Sequence, residues 1–159
     1  MNAAVLTVSD RVSRGDAPDT SGDLLEELLL DDGFAVARRV VPDEARQIAA
    51  AIEDLASVAA LVLTTGGTGV APRDVTPEAT RTVLQRDVPG IPEALRADAL
   101  ARTPHGLLSR GVAGVLGRTL VVNLPGSPGG CRDGYAVIRP AVVHAIELLA
   151  DEATTHRQT

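Results

Sequence analysis

Ala59-Ala60-Leu61-Val62-Leu63-Thr64-Thr65-Gly66-Gly67-Thr68-Gly69 sets an apolar run directly against a glycine-rich turn. A run this short, closed by glycines, predicts a strand over Ala59–Leu63. Glycines tolerate positive φ and close backbone approach, so consecutive N–H groups can converge on an anion. The run is not G-x-G-x-x-G, because Pro72 stands where the third glycine would be. A plain strand-to-helix turn is the competing reading of the same residues.

Outward from this stretch the pattern alternates. Upstream, Ala3–Val8 and the valine-rich Phe34–Val41 read as strands. Between them Leu24, Leu25, Leu28 and Leu29 recur at helical spacing, with Thr20 or Ser21 as cap and Gly33 as stop. Pro42-Asp43 is read as opening a helix whose apolar face carries Ile48, Ile52 and Leu55. Downstream, Thr76-Pro77-Glu78 predicts a helix with threonine as cap and proline at its first position. Pro92-Glu93 starts another, and Val112–Leu116 and Thr119–Asn123 read as strands. A final helix is expected from Pro140, carrying Val142, Ile146 and Leu149. Strands alternating with helices imply an α/β fold with a mostly parallel sheet flanked by helices. One domain is expected over residues 1–150, followed by a polar tail at 151–159.

The loops after Val8, Val41, Leu63 and Val122 all leave carboxyl ends of expected strands, the edge where open α/β sheets bind ligands. Asp43 and Asp74 both fall there. Each alone reads as a turn or cap residue. Two carboxylates beside a phosphate-type loop also suit Mg²⁺, which is held through one or two carboxylates and water. Ser9-Asp10 and the Pro125-Gly126-Ser127 turn share the ambiguity between capping and ligand donation. His105, His144 and His156 lack metal-ligand spacing, and Cys131 reads as structural.

Composition narrows the chemistry. The 159 residues carry 21 acidic and 15 basic side chains, a net charge of −6, and every basic residue is arginine. Without lysine there is no Walker A loop and no Schiff-base catalysis. An acidic chain with only Phe34 and Tyr135 as aromatics offers neither a basic tract nor a stacking platform for nucleic acid. No apolar run approaches the ~20 residues of a membrane span. The start lacks a positively charged n-region, and the one cysteine forms no internal disulfide, so a cytoplasmic protein is expected.

Leu6-Thr7-Val8-Ser9-Asp10, Asp19-Thr20-Ser21-Gly22, Val41-Pro42-Asp43-Glu44, the run from Thr64 to Gly69 with Arg73-Asp74-Val75-Thr76-Pro77-Glu78, Leu108-Ser109-Arg110 and Asn123-Leu124-Pro125-Gly126-Ser127 occur in that order. Together they resemble the molybdopterin adenylyltransferase family, the MogA/MoaB-type proteins and the G domain of gephyrin. The resemblance covers essentially the whole chain. It implies a Rossmann-like molybdopterin-binding fold that transfers AMP from Mg-ATP to the terminal phosphate of molybdopterin, giving adenylylated molybdopterin and pyrophosphate. It implies Asp43 and Asp74 as the acidic positions tied to catalysis and the metal. It also implies substrate binding by Thr65, Gly66, Gly67, Thr68 and Gly69 and by Pro125, Gly126 and Ser127, with Ser9, Asp10, Ser21 and Gly22 flanking the pocket. A homotrimer is the implied assembly, with hexamers among MoaB-type members. The alternative is a non-catalytic molybdopterin-binding or scaffolding protein. A nicotinamide-dependent dehydrogenase is a more distant third.

Overall fold

The computed structural model describes residues 1–151; the tail expected at 151–159 lies outside them except for Asp151. Six strands form one sheet: β1 (Asn2–Val8), β2 (Ala35–Val41), β3 (Leu61–Thr65), β4 (Arg86–Asp87), β5 (Ala113–Leu116) and β6 (Thr119–Leu124), in spatial order β2-β1-β3-β6-β5-β4. The first four in that order run parallel, β5 is antiparallel to β6, and β4 is antiparallel to β5. The helices are α1 (Asp10–Ser13), α2 (Thr20–Asp31), α3 (Ala45–Ala56), α4 (Thr76–Val83), α5 (Gly90–Arg102) and α6 (Pro128–Ala150), with a 3₁₀ turn at Pro104–Leu108. No helix among the described residues is long and apolar enough to cross a membrane.

The central strands read as unbroken apolar runs because both their faces are covered. Ala3 and Val5 of β1, Leu61 and Leu63 of β3, and Leu120 and Val122 of β6 pack on one face with Leu25 and Leu29 of α2 and Tyr135 and Ile138 of α6. Ala4, Leu6, Val62 and Val121 point to the other face, against Ile48 and Ile52 of α3 and Ala79 of α4. The chain leaving β1 enters α2 on the first face, and the chain leaving β3 enters α4 on the second. The carboxyl ends of β1 and β3 therefore flank a topological switch point, where such sheets open a crevice.

Every expected helix start moves, that of α5 from Pro92 to Gly90. Asp19, not Thr20 or Ser21, caps α2, accepting the Gly22 N–H at 3.1 Å. Asp43 does not cap α3, which begins at Ala45 without any side-chain cap, because the Asp43 carboxylate turns to the Asp10 N–H instead. Thr76 is not a cap but the first residue of α4, and its hydroxyl donates to the Gly66 carbonyl at 2.9 Å. Pro140 opens no helix; it lies inside the 23-residue α6, which begins at Pro128 with Ser127 as its cap. Proline removes the hydrogen bond to the carbonyl four residues back, here that of Ala136. Both residues are exposed, so water meets the freed carbonyl and the helix continues.

Candidate functional site

The segment from Gly66 to Val75 connects β3 to α4 across the switch point. Gly66 and Gly67 take φ of 99° and 67°, left-handed values that an L side chain resists. A Cβ on Gly66 would drive into the Val8 carbonyl at the end of β1. A Cβ on Gly126 would sit 3.3 Å from the Gly66 Cα, so the two glycine turns meet backbone to backbone. Thr65 stitches them, its hydroxyl donating to the Pro125 carbonyl at 2.7 Å.

Four consecutive carbonyls of this segment are tied back by two residues. Thr76 takes Gly66 O through its hydroxyl and Gly67 O through its N–H at 3.1 Å. Arg110 takes Thr68 O through its N–H at 2.8 Å and Gly69 O through Nε at 2.7 Å. In a trans peptide the carbonyl and the following N–H point oppositely. The N–H groups of Gly67, Thr68, Gly69 and Val70 thus face away from Thr76 and Arg110. They donate to no acceptor among the described residues.

Two carboxylates border this row. Asp43 Oδ2 accepts the Asp10 N–H at 2.9 Å, and Asp10 Oδ1 accepts the Asp43 N–H at 3.0 Å, a reciprocal clasp between the loops after β1 and β2. Asp43 Oδ1 accepts no donor among the described residues and lies 3.1 Å from where a Gly67 Cβ would be. Asp74 uses Oδ2 for the Ala71 N–H at 3.0 Å and leaves Oδ1 without a donor among the described residues. Burial, followed by the charges of Asp10 and Asp74, pushes the Asp43 carboxyl above its ordinary range. Two such oxygens, next to N–H groups without acceptors among the described residues, could hold a magnesium ion.

This architecture has relatives. The family described as "probable molybdopterin binding domain" matches residues 4–144. The chain belongs to this molybdopterin-binding domain family. It is 36% identical over 154 residues to a molybdopterin adenylyltransferase of Helicobacter pylori, covering 94% of the chain and 88% of the relative. It is 38% identical over 160 residues to the molybdenum cofactor synthesis protein cinnamon of Drosophila melanogaster, covering 98% of the chain. The chain spans about a quarter of that protein's length (26%). The crystal structure of the molybdopterin biosynthesis enzyme MoaB from Thermus thermophilus superposes with a TM-score of 0.87 at 47% identity, covering 93% of this chain and 95% of that one.

Within the molybdopterin-binding domain, the residues singled out from sequence separate into groups. Ser9, Ser21, Thr65, Gly66 and Gly126 line a cavity of about 170 Å³ against the loop ahead of α2. Pro125 and Ser127 line a separate cavity of about 320 Å³ under α5, with Ser109 and Asn123. Ser127 also caps α6, its hydroxyl oxygen accepting the Gly130 N–H at 3.1 Å. Gly67 to Gly69, Asp43 and Asp74 form the loop row between the carboxyl ends. The Asp10 carboxylate is committed within the protein: Arg73 Nε donates to Oδ2 at 2.6 Å, and that pairing with the Asp43 N–H bond holds its pKa below the usual carboxylate range. Gly22 is small for packing reasons, since a Cβ there would meet Thr7 Oγ1, Arg38 and the Asp19 carboxylate. Cys131 is buried beside Thr65, and burial pushes its thiol up to about 11.

Sequence reasoning passes over Arg73 and Arg110 as site residues, although both stand in the quoted motifs. Arg73 bridges Asp10, the Asp43 carbonyl at 3.2 Å and Glu44 at 3.1 Å. Asn123 enters the sequence reading only as the end of a strand and the start of a turn motif. It is buried and donates to the hydroxyls of Thr64 at 2.9 Å and Thr80 at 3.0 Å, while accepting the Val112 N–H at 3.2 Å. A chain without lysine puts its site cations on arginine, and that is the signal the sequence offers for the first two.

Proposed function

We propose that this chain acts in molybdenum cofactor biosynthesis, transferring AMP from Mg-ATP to the terminal phosphate of molybdopterin and releasing pyrophosphate. The observation that carries the reading is the row of unpartnered N–H groups from Gly67 to Val70 beside Asp43 and Asp74, each with one uncommitted oxygen among the described residues. The names of the Helicobacter and Thermus relatives support it.

The attacking group is a phosphate oxygen already carrying charge, so no side-chain base is required. That oxygen bonds to the α-phosphorus, the bond to the bridging oxygen breaks, and pyrophosphate leaves with the electron pair. What opposes the step is repulsion between anions, which positioning and fixed dipoles offset. The Gly67–Val70 donors meet phosphate oxygens without reorganising, since their carbonyls are already tied. Asp43 and Asp74 would hold Mg²⁺, which supplies neutralisation of phosphate charge. The Asp10–Asp43 clasp and Arg73 keep the Asp43 loop in register with the glycine segment.

Purified protein incubated with molybdopterin and Mg-ATP should release pyrophosphate in step with adenylylated product. Asp74→Asn should abolish product formation while molybdopterin binding persists. Tight molybdopterin binding by the parent without any product supports the non-catalytic scaffold and overturns the transferase reading.

A further inference from the structure

We propose that Arg110 is a positioning residue for anion binding: it sets the orientation of the glycine-segment peptides and the placement of Asp74, without touching ligand. The inference deepens the reading above and rests on it for the identity of the anion. Arg110 lies outside the segment, at the approach to β5, and its side chain is 35% exposed. Each of its three guanidinium nitrogens engages the protein. Nε donates to Gly69 O, Nη2 to Asp74 O at 2.7 Å, and Nη1 pairs with Glu78 in the first turn of α4. Its own N–H holds Thr68 O.

This geometry separates two roles an arginine could play near phosphates. A guanidinium reserved for ligand points donors into open space; here the planar fork is closed around two carbonyls and a carboxylate. The Gly69 peptide is fixed from its carbonyl side, so the Val70 N–H faces the ligand side. Asp74 is fixed by its carbonyl, while Asp74 Oδ2 would lie 2.9 Å from a Cβ on Gly69. One side chain therefore couples the donor row to the carboxylate that borders it. Lysine cannot replace it, because a single ammonium does not present donors along three fixed directions.

The test is isothermal titration of the full-length chain with inorganic pyrophosphate and with Mg-ATP, below the melting temperature of each variant. Loss of aligned donors of this kind is expected to cost about tenfold or more in affinity. Arg110→Ala should show that loss for both probes, Arg110→Lys should not restore it, and added guanidinium should recover part of it in Arg110→Ala. A purely structural role would lower the melting temperature, leave the affinities within about twofold of the parent, and give no guanidinium response; that result overturns the proposal. If Arg110→Ala does not fold, Glu78→Gln serves instead. It removes the charge that anchors Nη1, and it should weaken pyrophosphate binding by about threefold against an unchanged value if Arg110 is passive. A parent that binds neither probe also overturns the proposal. A parent that binds pyrophosphate, loses that binding in Arg110→Ala, yet makes no adenylylated molybdopterin leaves this inference standing and removes the proposed reaction. Product formation with affinities insensitive to Arg110 does the reverse.

Discussion

Gly66→Ala, read against Gly33→Ala, isolates what the crowded junction of β1 and β3 contributes. Both glycines have positive φ, 99° and 82°. At Gly33 nothing lies within 4 Å of an added Cβ, so only backbone strain is introduced, about 1–2 kcal/mol for an L residue in the left-handed region. At Gly66 the same strain is joined by collision with the Val8 carbonyl, a main-chain atom at the carboxyl end of the buried strand β1. Overpacking against an atom that cannot rotate away adds ~1–3 kcal/mol, and here the upper half of that range applies. For a domain of this size 1 kcal/mol corresponds to roughly 3 °C in Tm. Gly33→Ala should therefore melt about 3–6 °C below the parent and Gly66→Ala about 9–15 °C below it. Thermal unfolding followed by circular dichroism, with urea titration as a check, measures both. A Gly66→Ala protein that melts within ~2 °C of Gly33→Ala would show that β1 yields at Val8, and the steric account of this turn would be wrong.

Other substitutions probe separate parts of the molecule. Because folding raises the Asp43 pKa, the native state keeps that proton to higher pH than the unfolded chain. Its charge thus costs stability above the folded pKa and nothing below the ordinary aspartate range near ~3.9. In EDTA at pH 7, Asp43→Asn should melt no lower than the parent, with the difference closing in acid; in a separate assay with Mg²⁺ the proposed adenylyl transfer should fall about a hundredfold. A markedly lower Tm at neutral pH counts against this. Asn123→Leu removes the partners of the Val112 N–H and of the buried Thr64 hydroxyl, while the Thr80 hydroxyl keeps its bond to the Thr76 carbonyl, and should cost about 2–4 kcal/mol by urea denaturation. A loss under ~1 kcal/mol would mean water replaces the amide. Cys131, with its thiol pushed up to about 11 by burial, should resist a thiol reagent at pH 8 in the native state and react at once in denaturant.

The parts of the fold that the sequence disclosed are those where one force dominates. β1, β3 and β6 are legible because burial on both faces keeps their middles apolar and leaves polar residues such as Thr7, Thr64, Thr65 and Asn123 toward their ends. β4 is not: Arg86 and Asp87 are two exposed residues that pair with β5 and carry no apolar signal. α5 begins at Gly90, ahead of the expected Pro92, since nothing marks its start by side-chain capping. Asp43 and Thr76 sit where caps belong, and their chemistry fits a cap equally well. Only the three-dimensional partners, Asp10 and Gly66, decide otherwise. The same limit hides Arg73 and Arg110, whose acceptors are carbonyls and carboxylates 29 to 63 positions away along the chain. Pro140 misleads for a simpler reason. An exposed proline late in a long helix forfeits a bond that water replaces, so it punctuates nothing.

The contact between Gly66 and Gly126, with Val8 beneath, bears on how this protein can diversify. Three strand ends meet there through bare main chain: a side chain on Gly66 would run into β1, and one on Gly126 would press on Gly66. Gly66 offers no tolerated first step, and a side chain on Gly126 requires the facing turn to give way. New specificity has to be sought at the rims of the two cavities, on the loop ahead of α2 and along α5, where substitutions accumulate one at a time without parting the sheet.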